Sequence, residues 1–239
     1  MPHPLPMPAG IRLASYNIQK CVGVDLRRRP DRILKVLDAL QAQIVVLQEA
    51  DKRLPPRPAA LPHFALEEAG WKIADLGGAG SLGWHGNAVI WRSDSVALMQ
   101  TGHISLPGLE PRGAVRAEFD TSLGPLRVIG THLGLLAAYR RQQILHLNAE
   151  TSKLAPMATI WAGDFNEWSR LPVLERLAPM MRFLSAKPSY PAPRPIGALD
   201  RIAVSDGLRV GANGVFSERP AHIASDHLPI WADITPVQA

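Results

Sequence analysis

Apolar and polar positions along the chain follow two periods. Ile11 and Leu13 begin an alternating stretch that slips phase before Tyr16 and Ile18, which predicts a strand with an irregular end. Behind Asp31, a candidate N-cap, Ile33, Leu34, Val36, Leu37 and Leu40 recur at helical spacing. Ile44 to Leu47 is unbroken apolar sequence, the pattern of a strand covered on both faces. Further strands are predicted over 87–92, 96–101, 113–120, 126–132, 198–204 and 228–234, with a buried apolar run at 158–162. Helices are predicted over 139–154 and 172–177. The proline-rich segments 52–62 and 188–195 and the glycine-rich segment 77–86 read as surface loops.

Helices alternating with apolar strands mark an α/β chain of the α+β type, because strand runs without intervening helices also require antiparallel pairing. Nothing separates two self-sufficient cores. Residues 11–236 therefore read as a single domain behind a loose N-terminal arm, residues 1–10. One unit occurs twice: helix, buried strand, carboxylate, ending first in Glu49 and then in Asp164. Two related halves would give that pattern, and so would coincidence between common elements.

Composition narrows the picture further. With 239 residues, 46% hydrophobic and 20% charged, the chain is neither disordered nor fibrous. Its lone cysteine, Cys21, excludes an intrachain disulfide framework. No apolar run approaches the roughly 20 residues of a membrane span. The first ten residues lack the basic start of a secretion signal, so a cytoplasmic protein without an obligate protein partner is expected. The net charge of +5 suits a polyanionic partner such as nucleic acid, a phospholipid head group or a phosphorylated metabolite, but an excess of only five basic residues is explained first by plain solubility.

Polar residues gather at strand ends. Asn17 ends the first strand, Glu49 follows Ile-Val-Val-Leu-Gln, and His132 follows Val-Ile-Gly-Thr. Asp164 and Asn166 follow a buried run, Asp200 sits in ALDRI, and Asp226 and His227 sit in ASDHLPI. Each alone has an ordinary structural reading as a turn residue, a cap or half of an ion pair. Together they form a set of carboxylate, amide and imidazole groups beside buried strands, where unpaired charge is costly. Zinc-ligand spacing, a nucleophile elbow and phosphate-loop signatures are all absent from the sequence. Oxygen-rich donors with few histidines suit a hard cation, Mg²⁺ above all, with Mn²⁺ or Ca²⁺ as substitutes. The natural reaction of such a set is phosphate ester hydrolysis.

The motifs SYNIQ, LQE, THL, GDFN and SDHLPI, in this order, resemble those of the endonuclease/exonuclease/phosphatase superfamily, from residue 15 to residue 230. The resemblance implies a four-layer α/β sandwich, with two mixed β-sheets packed face to face, helices outside, and the active site at one end. It also implies Glu49 as principal Mg²⁺ ligand with Asn17 and Asp226 nearby. Asp164 would orient or deprotonate water, Asn166 and His132 would contact phosphate oxygens, and His227 would act as general acid/base polarised by Asp200. Whether Asp164 or His227 takes the proton stays open. Arg140, in an RxxQ spacing with Gln143, reads as a phosphate contact or as helix structure. Asn87, with Trp84, His85 and Trp168, is placed at the mouth of the site.

Departures narrow the substrate. Abasic-site endonucleases carry a tyrosine where this chain has His132, and inositol-polyphosphate 5-phosphatases carry a longer basic signature around GDxN. The expectation is thus a compact bacterial-type member: a Mg²⁺-dependent phosphodiesterase, of nuclease or phospholipid head-group type, using direct in-line water attack. The alternatives are a phosphomonoesterase acting on a soluble metabolite, and a binding module that retains the fold without activity.

Overall fold

Two six-stranded mixed sheets repeat one plan. The computed structural model describes residues 10–52, 56–78, 80–168, 171–185 and 187–237. Its strands in chain order are β1 (Ile11–Asn17), β2 (Ile44–Gln48), β3 (Lys72–Ile73), β4 (Ala88–Trp91), β5 (Val96–Leu106), β6 (Arg112–Thr121), β7 (Leu126–His132), β8 (Ala158–Asp164), β9 (Arg182–Phe183), β10 (Asp200–Val204), β11 (Leu208–Val215) and β12 (Ile230–Pro236). The helices are α1 (Pro30–Ala39), α2 (His63–Glu68), α3 (Ala137–Ser152), α4 (Leu171–Leu177) and α5 (Ala221–Ala224).

The first sheet runs β11-β12-β1-β2-β4-β3 and the second β5-β6-β7-β8-β10-β9. Each has one parallel pair, β1/β2 or β7/β8, joined through a helix and flanked on both sides by antiparallel neighbours. The two halves therefore correspond strand for strand. The repeated helix–strand–carboxylate unit of the sequence is the central β–α–β crossover of each half.

Strand alternation explains the layers. Ile44 and Val46 of β2 face the other sheet, where they join Leu13, Val89, Val115, Val128 and Ile160 in the inter-sheet core. Val45 and Leu47 point the opposite way, onto Ile33, Val36 and Leu37 of α1. Both faces of β2 are covered, so its sequence is apolar throughout. In the second half Ile129 and Trp161 pack outward on Ile144 and Leu147 of α3. The result is helices, sheet, sheet, helices, the expected four-layer α/β sandwich. The sheets approach closely at Gly130, where an added Cβ would sit 2.4 Å from Val46 Cγ1.

Some local expectations shift. Helix α1 begins at Pro30 with Arg29 in the cap position, so Asp31 is not the N-cap. Proline's fixed φ suits the first helical position, and Asp31 in the first turn pairs with Arg29. Strand β5 continues to Leu106, past its expected end at Thr101. It is an edge strand with a largely exposed outer face, so hydrophobic alternation fades while pairing to β6 persists across a register shift between Leu98 and Gln100. Residues 1–9 of the expected arm, and 53–55 of the first proline-rich loop, lie outside the described residues. Among the described residues no helix is long and apolar enough to cross a membrane.

Candidate active site

Strand pairing gathers the polar positions at one end of the sandwich. In the first sheet Asn17 lies opposite Gln48, with Glu49 next in the chain. In the second, His132 lies opposite Asp164, and antiparallel β10 places Asp200 on the other side of Asp164. Both parallel pairs end at the same edge, the usual location of ligand sites in α/β sheets.

Asp164 is the hub. Its Oδ2 accepts a hydrogen bond from Asn17 Nδ2 at 3.1 Å, a bond that joins the two sheets. Its Oδ1 accepts from the Asn166 backbone N–H at 2.9 Å. Two imidazoles approach the same Oδ2, His132 Nε2 at 3.5 Å and His227 Nε2 at 3.6 Å. The other ring nitrogen of His227, Nδ1, lies 2.9 Å from Asp200 Oδ2, which also accepts from Ser189 Oγ. Ser225 Oγ donates to the Asn17 carbonyl at 2.7 Å and ties the Ser-Asp-His turn to β1.

Local backbone geometry aims these groups. Glu49 and Asn166 adopt left-handed φ values of 51° and 50°. Asparagine tolerates that region, whereas for glutamate it is uncommon and reorients the chain just after β2. Gly163, immediately before Asp164, has φ 156°, and a Cβ there would lie 1.9 Å from the Thr131 carbonyl oxygen. Only glycine lets β8 run this close to β7 at the hub.

The buried charges are mutually compensated. Burial opposes protonation of His227, but the Asp200 carboxylate and its hydrogen bond, with Asp164 and Asp226, prevail and push the imidazole up to about 9. For His132 burial wins over the attraction of Asp164 and lowers the ring to about 4, so it is neutral near pH 7. Burial raises the Asp200 carboxyl. Asp164 resists the same burial, because the two imidazoles and the N–H groups of Asn166 and Asn17 hold it below the ordinary carboxylate range.

A cleft of about 610 Å³ opens over these groups. Because β4 and β6 pack together at one side of the sandwich and β12 and β10 at the other, the cleft has two distinct ends. Arg57, His85 and Arg112 line one end, and Tyr190, Leu199 and Trp168 line the other. Between them lie Asn17, Glu49, His132, Asp164, Asn166, Asp226 and His227, all facing the same space.

Three of the anticipated site residues lie outside the cleft lining. Asp200 lies behind His227, is 1% exposed, and pairs with that histidine rather than with its neighbour Arg201. Asn87 is buried beneath the floor, with Nδ2 donating to the Gly113 carbonyl at 3.0 Å and Oδ1 lacking a partner among the described residues. Arg140 is also buried; it donates to Glu167 at 3.1 Å and to the carbonyls of Gly134 and Leu135. It stands on the inward face of α3 with Gln143, Ile144 and Leu147, which makes it a loop clamp and not a cleft residue. Trp84 packs against Gly113 and the core, while His85 and Trp168 do reach the cleft. Sequence reasoning missed Ser189, which was hidden in a proline-rich stretch and marked by no motif.

The donor set fits a hard divalent cation. The carboxylates of Glu49 and Asp226 and the amide of Asn17 line the same cleft, where Glu49 is ion-paired with Lys20. Oxygens of Asp164 and Asp200 and a nitrogen of His227 also come within 4.8 Å of one another. There, however, Asp200 Oδ2 is occupied by Ser189 and His227. That trio is better suited to orienting an imidazole than to holding an ion.

Two equivalent mixed sheets with an acid–amide–imidazole cluster at their shared end define the deoxyribonuclease-I-like class of α/β sandwich. No curated protein sequence matches the chain. The chain belongs to the endonuclease/exonuclease/phosphatase family, whose model matches residues 14–227. Members of that family are generally phosphoester hydrolases, and the family is generally dependent on divalent metal. Among solved structures, the human Nocturnin catalytic domain with bound sulfate superposes with a TM-score of 0.72 at 21% identity, over 97% of this chain and 96% of that one. D. rerio TDP2 complexed with a single-strand DNA product gives 0.75 at 15% identity, over 95% of this chain and 100% of that one. The Bacteroides thetaiotaomicron mannosyl-6-phosphatase gives 0.73 at 16% identity, over 94% and 99%. At these identities the likeness shows the fold alone.

Proposed function

We propose that the protein is a Mg²⁺-dependent phosphodiesterase that hydrolyses its substrate by direct in-line attack of water. The observation that carries this reading is the Asp200–His227–Asp164 chain of contacts at the floor of a cleft that extends to both sides of it. A diester needs room on each side of the scissile phosphorus, and the cleft continues toward Arg57 and Arg112 in one direction and toward Tyr190 and Trp168 in the other.

Glu49, with Asn17 and Asp226, would hold the cation, which when bound supplies neutralisation of phosphate charge. The protein groups divide the remaining work. Asp164, an oriented carboxylate, accepts the proton of the attacking water. His227, held by Asp200 through Nδ1, presents Nε2–H to a phosphoryl oxygen or the departing group. Neutral His132 donates to a second phosphoryl oxygen through Nε2. Asn166 uses one N–H of Nδ2 on the Leu133 carbonyl at 2.9 Å, leaving its other N–H for the phosphate. Fixed donors aimed at developing charge supply most of the stabilisation in such sites.

The test is hydrolysis of bis(4-nitrophenyl) phosphate with Mg²⁺, Mn²⁺ or Ca²⁺, with and without a chelator. Turnover abolished by chelation and restored by Mg²⁺ supports the reading, and His227→Ala should lower it about 10²–10⁴-fold. No turnover of this diester, DNA, RNA, phospholipids or inositol phosphates with any of the three metals overturns it.

A further inference from the structure

Five large apolar side chains stand exposed around the cleft mouth. Leu109, Leu135, Leu136, Trp168 and Ile196 are between 56% and 82% exposed. Single exposed leucines are ordinary on protein surfaces. These five come from four different loops that surround one opening, and such clustering marks an interaction site. Leu135 and Trp168 line the cleft, Leu136 follows Leu135, and Leu109 adjoins the lining residues Glu110 and Pro111. Ile196 precedes Gly197, which lies against the Trp168 ring at 2.8 Å from its own missing Cβ.

The loops are clamped from below. Gln143 accepts from the Gly134 N–H at 2.9 Å and donates to the Pro107 carbonyl at 2.9 Å, tying the β5–β6 loop to the β7–α3 loop. Arg140 links the carbonyls of Gly134 and Leu135 to Glu167, the neighbour of Trp168. Both clamps are buried, and a satisfied buried network of this kind is rigid. It keeps the leucines standing in water instead of letting the loops fold over them. Basic residues flank the patch. Arg112, ion-paired with Glu110, lines the adjoining cleft, and Arg141 and Arg194 are exposed with no carboxylate partner among the described residues.

We propose that this face docks on an anionic phospholipid bilayer, with the apolar tips entering the headgroup–acyl boundary and Arg141 and Arg194 meeting lipid phosphates. The cleft then opens onto the membrane plane. Resting on the hydrolase reading above, this assigns the substrate class as the phosphodiester of a phospholipid head group. The side-chain chemistry selects lipid over nucleic acid. Four of the five tips are aliphatic, whereas bases stack on aromatic faces. Leucine, isoleucine and tryptophan beside arginine partition into bilayer interfaces.

The experiment is co-sedimentation of the full chain with phosphatidylcholine vesicles, with or without phosphatidylglycerol, and with single-stranded DNA offered separately. The protein should bind the mixed vesicles, and on binding Trp168 should become shielded from acrylamide, read as the difference from Trp168→Leu. The pair Leu109→Ser and Leu136→Ser should weaken vesicle binding about 10-fold or more at an unchanged unfolding midpoint. No binding to mixed vesicles overturns the proposal, as does binding unchanged by Leu109→Ser and Leu136→Ser. DNA binding weakened by Leu109→Ser and Leu136→Ser, in place of vesicle binding, assigns the face to nucleic acid and overturns it as well. If vesicles bind as described while no diester is turned over, the docking face stands and the hydrolase reading fails.

Discussion

The contact between Gly130 of β7 and Val46 of β2 offers a quantitative handle on the architecture that assembles the site. In Gly130→Ala the new Cβ would meet Val46 Cγ1 at 2.4 Å and Val115 Cγ2 at 3.2 Å. Carbon atoms prefer about 3.5–4.0 Å, so Val46 must retreat by more than about 1 Å in a core packed at crystal density. The expected cost is about 1–3 kcal/mol. Val46→Ala removes the clashing methyls and leaves a cavity, at about 2 kcal/mol. In the double variant the alanine at 130 occupies that cavity, and its nearest remaining Val46 atom, Cβ, is at an ordinary 3.6 Å. The two changes together should therefore cost about 1–2 kcal/mol less than their sum, well above the scatter of about 0.5 kcal/mol for independent sites. Urea unfolding of the four proteins at constant m-value measures this directly. Additive costs would falsify face-to-face contact of the sheets at this pair. Hydrolysis should follow the same cycle, because Glu49 and His132 lie just beyond the two residues.

Other outcomes are expected. Asp200→Asn keeps an acceptor for His227 but removes its charge, and should lower turnover of bis(4-nitrophenyl) phosphate about 10²–10⁴-fold; a change below about 3-fold would remove the pair from the mechanism. Ser189→Ala, which deletes one hydrogen bond to Asp200, should cost only about 3–10-fold in the same assay. Gly163→Ala should destabilise by more than about 3 kcal/mol in urea, since the obstructing atom is a backbone oxygen that cannot turn aside; a near-neutral result would mean β8 does not hug β7. Burial pushes the Cys21 thiol from 9.0 up to about 12. The native fold thus keeps its proton after the unfolded chain has lost it, and this contribution to stability, complete below about pH 9, is lost between about pH 9 and 12 at about 1.4 kcal/mol per pH unit. Unfolding titrations of wild type and Cys21→Ala should diverge over that window, and parallel curves would refute the shift.

The sequence by itself determined the two helix–strand–carboxylate units and the central polar groups of the cleft, Asn17, Glu49, His132, Asp164, Asn166, Asp226 and His227, while the Arg57, Arg112 and Tyr190 side chains that also line it carried no local mark. The covered run Ile44–Leu47 and the helical spacing of Ile33 to Leu40 are local patterns, and the polar residues that end apolar strands stand out because burial makes them expensive. Those signals need only neighbours in the chain. What each side chain faces was decided by the tertiary structure. Asn87, expected at the mouth of the site, sits beneath the floor, and Arg140, legible either as a phosphate contact or as helix structure, clamps loops from the inward face of α3. Ser189 carried no local mark, since its partner Asp200 is fixed by the pairing of β10 with β8. The bond between Asn17 and Asp164 spans 147 positions and exists only because one sheet is laid against the other. Hydrophobic period records whether a residue is buried; which group it meets there is set by long-range packing.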